Sequence, residues 1–214
     1  MMLTLYGLDF SPWANRVRFT ANYIGLDYNY VRVDLIGGEG QSEEYKRIHP
    51  VGKVPAIDDD GFVLFESGAI CRYLANKTTS PLYPADIKER AIVDQWTDYC
   101  VTHIAMAMQK VLFNRVVYKF MDKEQDKRSL QEGQEFLGRF LPLVDTQLSS
   151  MAYLASNEIS LADMILLAWL DPTEICEFDL SDYQHISRWR GLLKQQAFYT
   201  KCYQNYEDLF NQSA

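Results

Sequence analysis

The chain has no long run of apolar residues, no cluster of Lys or Arg, no Cys-x-x-Cys pair and only three histidines. Each lack closes a class of function. The longest apolar stretch, Met164 to Leu170, is far too short to cross a bilayer, and the start Met1-Met2-Leu3-Thr4-Leu5-Tyr6 has neither the basic opening nor the apolar core of an export signal. A soluble, cytoplasmic protein is expected. With 21 basic against 29 acidic side chains the net charge is −8 and no basic run stands out from it, so neither nucleic acid nor an anionic membrane is expected as a partner. Cys71, Cys100, Cys176 and Cys202 are scattered, the pattern of reduced thiols rather than of a disulfide framework. Cys100 and His103 can share a helical face, but without further spaced ligands they read as packing, and no metal is expected. Gly37-Gly38-Glu39-Gly40 lacks the strand and helix of a dinucleotide loop, Gly52-Lys53 lacks the flanking residues of a phosphate loop, and there is no G-x-S-x-G elbow.

What is present changes character near residue 78. Before it, strand-like and helical stretches alternate: Leu3 to Tyr6, Pro12 to Ile24, Tyr28 to Asp34, Val54 to Ile57, Phe62 to Phe65 and Ser67 to Asn76, in the order β-α-β then β-β-α. The first helix carries Trp13, Val17, Ala21 and Ile24 on one stripe, opens with Ser11 as N-cap and Pro12 at its first position, and stops at Gly25. Asp58-Asp59-Asp60-Gly61 supplies the turn of a hairpin. The Pro- and hydroxyl-rich stretch from Thr78 to Pro84 reads as a linker. Beyond it strands disappear. Residues 88–120 contain neither Pro nor Gly and predict one or two long helices, followed by helices over 129–150, 160–171, 183–195 and 197–210. Pro142 predicts a kink or break in the segment 129–150. Ser160-Leu161-Ala162-Asp163 is a capping-box start, with Ile159 and Met164 where a hydrophobic staple belongs. The expected architecture is α/β plus all-α: a domain over residues 1–77, a linker over 78–87, and a helical domain over 88–214.

Three segments of the first half carry chemistry. Val54-Pro55 is a bend whose main chain suits a peptide-like ligand, and Glu66-Ser67 stands where a strand ends and a helix begins, a place that favours an anionic group. The plainer reading of Pro55 is the start of an edge strand, and of Glu66-Ser67 an ordinary helix cap. Ser11 also has two roles open to it, as N-cap or as a hydroxyl facing a ligand, and the two are compatible. If that ligand is a thiol, lowering its pKa by two units requires about 2.7 kcal/mol of preferential thiolate stabilisation. A hydroxyl donor and a helix N-terminus together are suited to supply it. Together the pattern points to a thiol cofactor of tripeptide type.

These residues carry a family resemblance. Ser11-Pro12-Trp13-Ala14-Asn15-Arg16-Val17, His49-Pro50-Val51-Gly52-Lys53-Val54-Pro55 and Phe65-Glu66-Ser67-Gly68-Ala69-Ile70 resemble the thioredoxin-like domain of cytosolic glutathione transferases, of the serine-type, theta- or phi-like bacterial kind. The remainder resembles that family's all-helical second domain, its capping motif at Ser160 to Asp163 included. The resemblance implies a cis Val54-Pro55 bond, a Val54 backbone paired with the cysteinyl unit of glutathione, Ser67 and Glu66 on the γ-glutamyl portion, Lys53 at the cofactor's backbone or glycyl end, and Ser11 donating to the sulfur. Phe10, Trp13, Asn15, Gln41 and His49 are lesser candidates for the same site, Arg16 a structural support, and Tyr6 a strand residue ranked below Ser11. A glutathione transferase acting on a small hydrophobic electrophile is implied, as is a homodimer. Met106, Met108, Phe113 and Tyr118 are candidates to line a pocket for the second substrate between the domains, or else plain core. The alternatives are a non-catalytic binding or regulatory protein of the same fold, or a glutathione-dependent isomerase, peroxidase or dehalogenase. A glutaredoxin-like oxidoreductase is set aside, because serine stands where its nucleophilic cysteine belongs.

Overall fold

Side chains along Leu3–Gly7 alternate between buried and half-buried, which makes this segment the strand β1 of a sheet with one face in the core. The structure is a computed structural model that describes residues 2–211, so Met1 and residues 212–214 of the expected domains lie outside the described residues. After β1 comes α1 (Pro12–Tyr23), whose first turn is closed by Ser11, its side-chain oxygen accepting from the Ala14 amide at 3.3 Å. The helix ends where Gly25 takes φ +72° and the Leu26 amide reaches back to the Ala21 carbonyl, as its glycine predicts. β2 (Tyr28–Arg32) runs parallel to β1, α2 (Glu43–Lys46) follows, and β3 (Ala56–Asp59) pairs antiparallel with both β1 and β4 (Phe62–Phe65). The strand order is β2-β1-β3-β4. Asp60 and Gly61 both have positive φ, the type I′ geometry whose twist matches its strands, and Asp58 accepts the Gly61 amide at 2.7 Å. α3 (Ser67–Lys77) then leaves β4. Leu5, Val17, Phe19, Ile57, Ile70 and Leu74 are fully enclosed in this unit.

Two strand boundaries differ from expectation. The third strand begins at Ala56 rather than Val54, because Pro55 has no N–H to give a ladder and the partner strands stop at Ala56. The second ends at Arg32, since Asp34 turns the chain, accepting the Gly37 amide at 2.7 Å.

The chain divides into two compact units, one running to Ser80 and including the residues from Ala197 on, the other spanning Pro81–Gln196. The second unit is helical throughout its regular elements. α4 (Ile87–Tyr99), α5 (Met106–Leu112) and α6 (Tyr118–Phe120) are joined end to end by π-helical turns over Cys100–Ala105 and Phe113–Val117, the uninterrupted run expected where Pro and Gly are missing. α7 (Lys127–Ser150) continues through Pro142 as one element, so of the kink or break expected there the break does not occur. The carbonyl that a proline ring crowds belongs to the residue one turn earlier, here Gly138, whose backbone has no side chain to resist tilting. Leu137, Leu141, Val144 and Leu148, spaced by fours and threes, hold its inner face buried. α8 (Leu161–Leu170) and α9 (Gln184–Lys194) complete this unit. The last predicted helix is two short ones belonging to the first unit, α10 (Ala197–Thr200) and α11 (Tyr206–Asn211), interrupted by a turn. No helix among the described residues is long and apolar enough to cross a membrane.

The capping box forms, and its acid does more than cap. The Ser160 amide and hydroxyl each donate to Asp163 Oδ2 at 2.9 Å, while the Leu154 amide and Trp189 Nε1 donate to Oδ1 at 3.0 Å. Asp163 is wholly buried, as Ile159 and Met164 are nearly so. Burial pushes its carboxyl above the ordinary aspartate range, and the four donors oppose that shift. α9 is anchored similarly, with Asp145 of α7 accepting the His185 and Ile186 amides at 2.9 Å. Asp163→Ala strands four buried donors at once, so denaturant unfolding is expected to show a loss of about 3 to 5 kcal/mol. A variant as stable as the parent contradicts this role.

Candidate functional site

Tyr6 pairs with Ala56, and Ala56 pairs with Phe65, so one row crosses β1, β3 and β4 at a single end of the sheet. From that end β1 leads toward Ser11, β3 is entered through Val54-Pro55, and β4 departs into Glu66-Ser67. Three segments far apart in sequence therefore converge because of strand register alone.

The Val54–Pro55 peptide bond is cis. The Val54 side chain is buried with Val33 and Tyr45. The preceding Lys53 carbonyl accepts the Tyr45 hydroxyl at 2.7 Å, while no other described residue hydrogen-bonds the Val54 main chain. Val54 thus presents an amide and a carbonyl at the end of an inner strand, where an extended peptide can add to it. Tyr45 is a residue that sequence reasoning missed. Its only local signal is its place on a one-turn helix capped by Ser42, eight residues ahead of the carbonyl it holds.

Glu66 adopts φ +70°, uncommon for a side-chain-bearing residue, and its carbonyl accepts the Ile70 amide at 2.9 Å to start α3. Ser67, the first helical residue, is only 5% exposed. Beside this helix start lies the guanidinium of Arg16, itself buried, with its carbon 5.3 Å from the centre of the Trp13 ring. A Cβ placed on Gly68 would come within 2.7 Å of Arg16 Nη2, so glycine is what allows the cation so near the α3 terminus. The amide-rich end of an eleven-residue helix and a buried cation reinforce one another as a corner for a carboxylate.

The lesser candidates separate. His49 is buried, accepts the Val51 amide at Nδ1 (3.3 Å) and packs its ring on Phe65. Burial holds its pKa below the ordinary range, with the Glu66 charge opposing and Lys53 adding to the drop, so it is neutral at pH 7. Lys53 itself is exposed. Gln41 is brought against Gly52, where a Cβ would meet its Nε2 at 2.7 Å and the Gly40 carbonyl closer still. Phe10 and Trp13 are half-buried near Ser11. Asn15 is fully enclosed and uses both ends of its amide, donating to the Asp9 carbonyl at 2.7 Å and accepting from Arg18 at 3.2 Å, so it supports the loop before Ser11 rather than facing a ligand. Tyr6 packs edge-on against Tyr45, and burial with nearby Asp58 and Glu44 raises its pKa, which keeps it a neutral strand residue.

In the helical unit, Met108 is fully buried core, whereas Met106 is half exposed and Phe113 packs edge-on against Tyr118. Among the described residues no group of three or more His, Cys, Asp or Glu is placed to hold a metal ion. His103 meets Tyr99 edge-on and lies tilted against Phe140, and Cys100 is buried.

Residues 1–76 match the glutathione S-transferase N-terminal domain family and residues 103–195 the C-terminal domain family. Glutathione S-transferase F10 of Arabidopsis thaliana is 32% identical over 204 residues, covering 92% of this chain and 94% of that protein. The chain belongs to the glutathione S-transferase family. Among solved structures, a delta-class glutathione transferase of Nilaparvata lugens superposes with a TM-score of 0.84 at 30% identity, covering 98% of this chain and 97% of that one. The theta-class glutathione S-transferase of Xanthomonas axonopodis pv. citri, solved with glutathione bound, gives 0.85 at 25% identity, over 93% and 95% of the two chains. As a glutathione transferase, this protein has its N-terminal family match over the unit in which the segments carrying Ser11, Val54 and Ser67 meet at one end of the sheet. Tyr45→Phe removes one hydrogen bond from the Lys53-Val54 main chain and keeps the ring. Isothermal titration is expected to show glutathione bound about two- to tenfold more weakly; an unchanged affinity refutes the role of Tyr45.

Proposed function

We propose that the protein conjugates the glutathione thiolate to small apolar electrophiles, with residues 1–77 as the glutathione-binding domain. Val54 pairs through its main chain with the cysteinyl unit; Ser67 and Glu66 hold the γ-glutamyl carboxylate and ammonium; Lys53 pairs with the glycyl carboxylate. The Ser11 hydroxyl donates to the sulfur. The observation that carries this reading is the convergence at one sheet end of an unfilled Val54 main chain, a positive corner at Ser67, and the Ser11 hydroxyl. Ser11 accepts from Ala14 with its oxygen, which leaves its own hydrogen for a thiolate, so cap and ligand contact coexist.

The magnitudes agree. A hydrogen bond to a charged acceptor contributes about 1.5 to 3 kcal/mol, and a helix N-terminus adds about 0.3 to 1. Their sum covers the roughly 2.7 kcal/mol that a two-unit drop in thiol pKa requires. The thiolate then attacks the electrophilic carbon, the carbon–sulfur bond forms, and the leaving group departs with its electron pair. The solved relative with glutathione bound supports the choice of thiol.

Ser11→Ala is expected to shift the acidic limb of the pH profile of kcat/KM upward by about one to two units, and to leave glutathione affinity within about threefold. Chlorodinitrobenzene serves as electrophile. An unchanged limb removes Ser11 from the reaction, and tight glutathione binding with no conjugation of any electrophile favours a binding protein instead.

We also propose a cytoplasmic homodimer. Phe62, Val63 and Phe65 on the edge strand β4 and Val51 before it are exposed apolar side chains of one unit, a surface that a second copy would cover. Sedimentation equilibrium is expected to give twice the chain mass, and a monomer at micromolar concentration contradicts it.

A further inference from the structure

The loop that delivers Ser11 is held by every carbonyl it has. The Leu8 carbonyl accepts the Ser11 amide at 2.9 Å, the Asp9 carbonyl accepts Asn15 Nδ2 at 2.7 Å, and the Phe10 carbonyl accepts the Tyr206 hydroxyl at 2.7 Å. The first two donors come from the loop and its own helix; the third comes from 196 residues further along the chain. Tyr206 is only 1% exposed and meets the Phe10 ring edge-on. Its segment is tied along α1 by further polar contacts: Arg18, paired with Asp9, donates to the Cys202 carbonyl at 3.2 Å, and Asn22 donates to the Phe198 carbonyl at 2.9 Å and to Cys202 Sγ at 3.2 Å. Phe19 packs between the rings of this segment. A buried hydroxyl aimed at the peptide bond just before Ser11 governs how that peptide plane is turned, and with it the direction of the Ser11 side chain.

We propose that Tyr206 is a positioning residue for Ser11: its hydroxyl fixes the Phe10-Ser11 peptide plane, so the C-terminal segment sets the geometry of the serine-to-sulfur contact. This rests on the reading of Ser11 as the donor to the thiolate.

The test is a double-mutant cycle on the whole protein, with the pKa of bound glutathione read from the ultraviolet absorbance of its thiolate. Tyr206→Phe keeps the ring and its packing while deleting the hydroxyl. It is expected to raise the bound thiol pKa by about half a unit to one unit and to lower kcat with chlorodinitrobenzene about three- to tenfold, with KM for glutathione within about twofold. Ser11→Ala raises the pKa further, and Tyr206→Phe then adds nothing in the Ser11→Ala background. A pKa unmoved by Tyr206→Phe while Ser11→Ala raises it overturns the positioning role alone, as does an equal shift with and without the serine hydroxyl. If Ser11→Ala itself leaves the pKa unmoved, the reading of Ser11 fails and this proposal falls with it. Amide exchange in the ligand-free protein is an independent check. Exchange at Ser11 is expected to quicken in Tyr206→Phe with the middle of α1 unchanged, and unaltered exchange at Ser11 overturns the proposal.

Discussion

The pairing of Tyr6 with Ala56 and of Ala56 with Phe65 is the constraint on which the candidate site depends. A slip of one residue at β3 would turn Ile57 out of the core and Asp58 into it, so the burial of Ile57 enforces the register. With that register set, the ends of three strands cannot avoid one another. The β3 ladder also stops at this row, so Val54, one proline upstream, keeps a main-chain donor and acceptor that no described residue uses. A pair of this kind at the end of an inner strand can receive an extended peptide, and it is created by the same pairing that builds the sheet.

Electrostatics follow the same logic of placement over quantity. The chain carries a net charge of −8, which by itself disfavours anions, yet the corner at Ser67 combines a helix N-terminus with a buried guanidinium. Within a few ångströms and away from water, such fixed groups outweigh a diffuse surface charge that salt screens over about 10 Å. Gly68 belongs to this arrangement for a steric reason, since any side chain there would displace the Arg16 guanidinium.

In the helical unit a perturbed carboxyl has a different meaning. Asp163 is buried and shifted, a pattern often associated with catalysis, but all four of its hydrogen bonds are to groups that terminate or join elements: the α8 start, the loop at Leu154 and the α9 indole of Trp189. No cleft opens on it, as its side chain is fully enclosed. It is a structural anion whose donors replace the water it gave up.

Local physical chemistry sufficed for much of this. The first helix could be read with its cap and its stop, because Ser11, Pro12 and Gly25 act on the backbone within a few residues. So could the hairpin at Asp60-Gly61 and the capping box at Ser160. The family pattern placed Ser11, Val54, Glu66 and Ser67 as candidates, and the strand register brings the segments that carry them to one end of the sheet. Where local rules failed, a distant or absent neighbour decided. α7 passes through Pro142 over a side-chain-free Gly138, β3 waits for Ala56 because no partner strand reaches Val54, and the terminal helix breaks in two. Tyr45 and Tyr206 have no pattern of their own that marks them, and Arg16 is marked only as a support within the Ser11–Val17 motif, since each matters through a contact set by folding. Sequence alone thus determined which short segments cap, turn and pair, because those forces act between near neighbours. Only the tertiary structure decided which carbonyl Tyr45 or Tyr206 would hold and which helix end Arg16 would face, because such contacts exist only once separate elements have packed.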